Sequence, residues 1–169
     1  MRHDAKGWRR WTTRVGWVLA FAVPAWMAGG RFLTDSAGAL TPVYALTLAP
    51  VLLVLSVVAL AVPHRRPGHY PSARSLGLLL IAWASGIGLG FTLPDTGEGA
   101  SSVLGALVGP EAEGAAAAFS NPLGIIMLFM SIAGCVLAVR DSSRPDGARR
   151  SPGDEDDFQG TGYFPVLDV

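Results

Sequence analysis

The uncharged stretch LGLLLIAWASGIGLGFTL occupies residues 76–93 and is long enough to approach the thickness of a bilayer. In an α-helix it would span about 1.5 Å per residue, against roughly 30 Å for a hydrocarbon core. Small residues recur at four-residue intervals and therefore share one helix face: Ala82, Gly86 and Gly90. Gly88 falls on the adjoining face. We predict a membrane-spanning helix whose small-residue face packs against the other helices.

Three further apolar runs predict helices at about 15–33, 43–62 and 122–139. Their interiors, like that of the first run, contain no Asp, Glu, Lys, Arg or His. The chain is 50% hydrophobic, but its charges are collected in blocks between these runs. Because a soluble domain of this size would mix charged and apolar residues, the pattern predicts an all-α membrane protein. We expect a four-transmembrane-helix bundle over residues 15–139.

Proline residues interrupt or begin three of the predicted helices. Pro24 and Pro50 lie inside the first two and predict kinks. Pro50 also leaves the carbonyl of Leu46 without its helical hydrogen bond. Ser120 or Asn121 before Pro122 is a typical helix start, with a capping side chain followed by proline at the first helical position.

The polar segments divide into a basic set and an acidic set. Residues 1–14 are basic and contain interleaved tryptophans, which suits the headgroup layer. Cleavage of the first helix as a signal peptide is an alternative at Ala20-Phe21-Ala22, although the preceding apolar run is short for one. Residues 94–119 are acidic, and 101–108 predict a short interfacial helix.

The distribution of arginine and lysine sets the predicted orientation. Of 13 basic residues, 12 lie in the N-terminal segment, in the loop after the second helix or after the fourth helix. Arg31 alone lies in the other two loops. Because cytoplasmic loops collect Lys and Arg, both termini are predicted to be cytoplasmic. Arginine outnumbers lysine twelve to one, and together with abundant Ala, Gly and Pro this suggests GC-rich coding and a bacterial plasma membrane.

Residues 140–169 are polar and rich in Pro, Gly, Ser and Asp, so we expect a disordered cytoplasmic tail. An apolar segment near its end is a hypothetical docking motif for a cytoplasmic partner: Tyr163, Phe164, Pro165, Val166 and Leu167. The alternative is an unconstrained tail.

The membrane runs offer no chemistry that an enzyme or a proton-coupled transporter would need. Such proteins usually place charged groups inside the bilayer, and here there are none. His64 and His69 share a loop but are joined by no carboxylate or thiol, and Cys135 is the only cysteine. We therefore expect no enzyme activity, no catalytic site, no cofactor and no metal. Trp83 needs a partner for its indole N–H, with Ser56 or Ser131 as candidates.

Small residues are the predicted contact points between helices: Ala82, Gly86, Gly88, Gly90 and Gly124. They serve packing within one chain or, alternatively, contact with a homo-oligomer or membrane partner. The preferred hypothesis is an accessory or structural subunit of a larger membrane complex, in contact with the lipid bilayer and with no nucleic acid. The alternative is a small oligomeric channel or carrier with a pore lined by Ser, Thr and backbone.

Overall fold

The computed structural model describes residues 4–65, 71–96 and 101–143, with side chains from residue 11 onward in the first segment. Regular secondary structure in these residues is entirely helical. The α-helices are α1 Asp4–Gly29, α2 Thr41–Leu46, α3 Leu48–His64, α4 Ala73–Thr92, α5 Val103–Val108 and α6 Glu113–Ser143. Short 3-10 helices occupy Gly30–Leu33 and Pro110–Ala112.

Four helical segments are long and apolar enough to cross a membrane. They are Trp11–Leu33, Thr41–His64, Ala73–Thr92 and Pro110–Ser143, with lengths of 23, 24, 20 and 34 residues. The prediction of an all-helical chain with four such helices is therefore confirmed for the described residues. The exact boundaries differ from those predicted, for reasons that can be traced to individual residues.

The second span is broken, whereas a continuous helix over 43–62 was predicted. Helix α2 ends at Leu46 and α3 begins at Leu48, with Thr47 at φ −117° and ψ −73° between them. Pro50 explains the break, because it offers no N–H to the carbonyl of Leu46 and its ring crowds that carbonyl. The Thr47 hydroxyl donates to the carbonyl of Val43 at 2.6 Å and helps to close α2.

The predicted start of the fourth helix at Pro122 is wrong, because α6 begins at Glu113 and carries Pro122 inside it. Alanines at 115–118 are strong helix formers, and they continue the helix ahead of the proline. The hydroxyl of Ser120 donates to the carbonyl of Ala117 at 2.9 Å within the helix. Helix α6 also extends through Ser143, so residues 140–143 of the predicted tail are helical.

The first and third helices differ less from prediction. Helix α1 starts at Asp4, so residues 4–14 of the basic segment continue into the apolar run as one helix that also passes through Pro24. Helix α4 starts three residues before the predicted 76, after Ser72, whose hydroxyl accepts the N–H of Ser75 at 3.2 Å. The predicted short helix at 101–108 is present as α5.

The four long elements surround one core, in which α1, α3, α6 and α4 are neighbours in that order around a closed square. Helix α4 packs most extensively against α6. The core contains large side chains that solvent does not reach, chief among them Leu52, Leu60, Leu79, Trp83 and Met127. Trp83 donates its indole N–H to the hydroxyl of Ser56 across the square at 3.0 Å, which confirms one of its two predicted partners.

Candidate functional site

A buried ion pair joins two loops at one end of the bundle. Arg31 lies in the 3-10 helix that follows α1, and Asp95 lies three residues after the end of α4. Helices α1 and α4 run in the same direction, so both loops emerge at the same end. The distance from Arg31 Nη1 to Asp95 Oδ2 is 2.7 Å, and the two side chains are 2% and 0% exposed. A pair of this kind is stable only when further hydrogen bonds satisfy both charges.

The carboxylate of Asp95 receives hydrogen bonds from the loop that precedes α2. The backbone N–H of Gly38 donates to Oδ2 at 3.0 Å, and that of Leu40 donates to Oδ1 at 2.7 Å. The hydroxyl of Thr41 donates to Oδ2 at 2.5 Å. The N–H of Thr96 completes the set at 2.7 Å. One carboxylate therefore fixes three segments of the chain to one another.

The guanidinium of Arg31 is engaged on its other sides as well. Its Nη2 donates to the carbonyl of Leu93. Its Cζ lies 5.3 Å from the centroid of the Tyr44 ring, a distance at which cation–π attraction is favourable. The hydroxyl of Tyr44 in turn donates to the carbonyl of Pro94 at 3.3 Å. We name this network of Arg31, Asp95 and their partners the loop clamp.

The pKa of Asp95 lies below its ordinary value of 3.8. Burial is the largest single effect on the carboxylate, and by itself it would raise that pKa. The hydrogen bonds from the Thr41 hydroxyl and from the backbone N–H groups of Leu40, Thr96 and Gly38 oppose burial and together lower it further than burial raises it. Asp95 is therefore a carboxylate at neutral pH, and its chemistry there is to hold partners rather than to exchange a proton.

The depth of the loop clamp follows from the contacts of Gly86, which lies near the middle of the bundle. A Cβ atom placed on Gly86 would lie 3.0 Å from Val23, 3.2 Å from Leu52 and 3.4 Å from Met127. These four residues, one on each spanning helix, therefore share one level. The axial distance of another residue from this level is then the number of residues between them along the same helical segment, multiplied by a rise of about 1.5 Å per residue.

The loop clamp lies near one boundary of the apolar region. Arg31 is eight residues beyond Val23 and Asp95 is nine residues beyond Gly86, which gives about 12–14 Å. Toward the other end, three arginines lie 12 or 13 residues from the same level, about 18–20 Å away: Arg65, Arg74 and Arg140. The separation of about 30–33 Å matches the thickness of a bilayer core.

A second structured loop covers the ends of α4 and α6 at the clamp end. The hydroxyl of Ser102 accepts the N–H of Gly105 at 2.9 Å and so caps α5. The N–H of Ser102 donates to the carboxylate of Glu113 at 2.9 Å, which ties α5 to the start of α6. Gly109 connects them with φ of +121°, a conformation that favours glycine.

The predicted small residues lie on helix surfaces that meet other helices. Ala82 is fully buried. A Cβ on Gly88 would lie 3.1 Å from Leu123, and one on Gly124 would lie 3.8 Å from Leu89. One on Gly90 would lie 2.7 Å from Trp26 Cδ1 and closer still to its Nε1. Their contribution to stability stays a prediction. The predicted docking segment Tyr163, Phe164, Pro165, Val166 and Leu167 lies outside the described residues.

Sequence reasoning missed the loop clamp. The predictions place Arg31 in a loop and residue 95 in the acidic segment 94–119, with no contact between them, although two signals were present. Arg31 is the only basic residue in its loop and in the loop after α4, and Asp95 follows an 18-residue uncharged run almost directly. Within the described residues, no group of three or more His, Cys, Asp or Glu residues is placed to hold a metal ion.

Comparisons with protein-family models, with curated proteins and with solved structures gave no match.

Proposed function

We propose that the protein is an accessory or structural subunit of a larger membrane complex, without a catalytic site of its own. The observation that supports this most is that the buried polar side chains bind other groups of the same chain. The loop clamp binds the protein's own loops, and the Trp83–Ser56 hydrogen bond joins its own helices. In the part of the chain that the structure describes, every buried side-chain nitrogen or oxygen has a hydrogen-bond partner. These buried polar groups therefore stabilise the bundle itself.

The surface of the described bundle favours association within a membrane. Large apolar side chains are exposed along α6, including Ile125 at 67% and Phe129 at 70%. Lipid or the apolar surface of another membrane protein would cover them. An accessory subunit needs a rigid body with such an exterior, and the loop clamp supplies rigidity at one end.

The proposed location is the plasma membrane of a bacterium, with both termini in the cytoplasm. The described arginines Arg14, Arg65, Arg74 and Arg140 support this orientation, because they lie toward one end of the bundle and cytoplasmic segments collect Lys and Arg. Arg31 would be the single exception, on the outer side. Its ion pair with Asp95 neutralises that charge, so it adds no net positive charge to the outer loops.

Reporter fusions test the orientation. Alkaline phosphatase, which is active only outside the cytoplasm, is fused after Val169 and, in a second fusion, after Glu98. We expect the first fusion to be inactive and the second to be active. Activity after Val169 would overturn the orientation.

Affinity purification tests the accessory role. The full chain, tagged at its N-terminus, is extracted in mild detergent, and the proteins that co-purify are identified by mass spectrometry. We expect a defined membrane complex at near-stoichiometric amounts, absent from a control with an unrelated tagged membrane protein. Purification of the chain alone, together with solute or ion flux in proteoliposomes, would overturn the proposal in favour of a channel or carrier.

The same purification tests the tail. A variant that lacks residues 159–169 should lose any soluble partner and keep the membrane partners if the apolar tail segment is a docking motif. An unchanged set of soluble partners would contradict that role.

A further inference from the structure

The end of the bundle opposite the loop clamp carries an exposed arginine on each of three helical segments. Arg65 directly follows α3, Arg74 lies in the first turn of α4 and Arg140 lies near the end of α6. All three are exposed, and no hydrogen bond or ion pair joins the side chain of any of them to another described residue. We name Arg65, Arg74 and Arg140 the arginine rim.

The arginine rim lies at one depth. Its members are 13, 12 and 13 residues from the level of Gly86, so each is about 18–20 Å from that level. This depth is the boundary between acyl chains and headgroups when the loop clamp marks the opposite boundary. Arg14 on α1 is also exposed, nine residues from Val23, and its long side chain can extend toward the same layer.

Little negative charge opposes the arginine rim. The acidic residues at this end that the structure describes are Asp4 and Asp141, and Asp141 is exposed beside Arg140. The clamp end has the opposite character, since Asp35, Glu111 and Glu113 carry charge there while Arg31 is neutralised by Asp95. The described bundle is therefore electrostatically bipolar.

We propose that the arginine rim binds the headgroups of anionic phospholipids and selects them over zwitterionic lipids. Lipid is the occupant because the arginines adjoin apolar side chains that face the bilayer, such as Val139, which is 39% exposed. A guanidinium can donate two parallel hydrogen bonds to one phosphate, which a lysine cannot. The proposal depends neither on the accessory role nor on which face of the membrane the rim occupies.

Native mass spectrometry of the full chain tests the proposal. The protein is purified in mild detergent and mixed with equal amounts of dioleoyl-phosphatidylglycerol and dioleoyl-phosphatidylcholine. The test variant is the triple substitution Arg65→Gln, Arg74→Gln and Arg140→Gln. The matched control removes the same charge elsewhere, through Arg144→Gln, Arg149→Gln and Arg150→Gln. Circular dichroism and gel filtration establish that each variant is folded.

We expect the wild-type protein and the control to retain phosphatidylglycerol in preference to phosphatidylcholine. The test variant should lose this preference, with about a fivefold weaker affinity for each arginine removed. Binding to the wild-type protein should also weaken as salt is raised. Equal retention of both lipids by the wild-type protein would overturn the proposal. An equal loss in the test variant and the control would overturn it too, because charge alone and not the rim would then determine binding. If the triple variant does not fold, the three single variants are compared, and an unchanged preference in all three would overturn it.

Discussion

Arg31 Nη1 and Asp95 Oδ2 lie 2.7 Å apart, although 64 positions separate the two residues in sequence. The pair connects the end of α1 to the end of α4, and Asp95 also holds the loop that leads into α2. Three of the four spanning segments are thus fixed relative to one another at one end. The charges are buried, so the pair stabilises this arrangement only while both partners are present.

Removing either partner of the ion pair should destabilise the protein strongly. We expect Asp95→Ala to lower the free energy of unfolding by about 3–5 kcal/mol, because it leaves a buried guanidinium and several loop donors unsatisfied. Arg31→Ala should cost less, since four other hydrogen bonds still satisfy Asp95. Thermal unfolding in detergent measures both.

The exposed Asp35, in the same loop, provides the control for these substitutions. Asp35→Asn should change the unfolding temperature little, because asparagine tolerates the φ of 50° found there. Exchange of the pair, Arg31→Asp with Asp95→Arg, should not restore stability, because the N–H groups of Gly38 and Leu40 would then face a cation. Full recovery in the exchanged protein would show that only the ion pair matters.

The stability that Asp95 provides should decrease as the pH falls. Its pKa is lower in the folded protein than the ordinary value of 3.8, so the contribution is present above that value and is lost as pH falls toward the folded pKa. We expect the difference in unfolding temperature between wild type and Asp95→Asn to be constant above about pH 5 and to shrink below about pH 4. A difference that stays constant down to about pH 3 would contradict this assignment.

Glycine-to-alanine changes on α4 should destabilise the protein most where a Cβ atom has the least space. In Gly90→Ala the new Cβ would meet Trp26 Cδ1 at 2.7 Å, and in Gly86→Ala it would meet Val23 at 3.0 Å. Either change must displace a neighbour, with an expected cost of about 1–3 kcal/mol. Gly90→Ala should also weaken the hydrogen bond from Trp26 to the carbonyl of Ile87, now 3.2 Å. Thermal unfolding in detergent measures the cost, and tryptophan fluorescence reports any movement of Trp26.

Gly77 is the matched control on the same helix, because nothing lies within 4 Å of a Cβ placed there. Gly77→Ala should be neutral or should stabilise the protein by up to about 1 kcal/mol through helix propensity. If the Gly86 and Gly90 variants unfold at the same temperature as Gly77→Ala, close packing at those glycines does not stabilise the bundle.

The hydrogen bond between Trp83 and Ser56 should contribute more to the free energy of unfolding than the hydrogen bond made by an equally buried serine, Ser131. Ser56→Ala leaves the indole N–H unpaired in the core, at an expected cost of about 1–3 kcal/mol. Ser131 is also fully buried, but its hydroxyl donates only to the carbonyl of Leu128 in its own helix, at 2.9 Å. Ser131→Ala should therefore cost less than Ser56→Ala in the same unfolding assay, and the reverse order would contradict this reading of the core.

Local chemistry accounts for the parts of the fold that could be predicted. Uncharged runs of about 20 residues define the four spans, because a helix satisfies the backbone groups of each run within the run itself. Pro50 indicated a disturbance of the second helix, which the structure places as a break at Thr47. Pro122 predicted a helix start but lies inside α6. A helix can tolerate one missing N–H when strong helix formers such as alanines precede it.

The loop clamp could not be derived in the same way. The sequence by itself determined that four helices form, that four of the five predicted small contact residues fall on one of them, α4, and that Trp83 requires a partner. Only the tertiary structure decided that Ser56 is that partner and that Arg31 reaches Asp95. The physical reason is that helix formation depends on neighbours a few residues apart. The burial of a charge depends instead on which distant loops emerge at the same end and lie close enough to share a carboxylate.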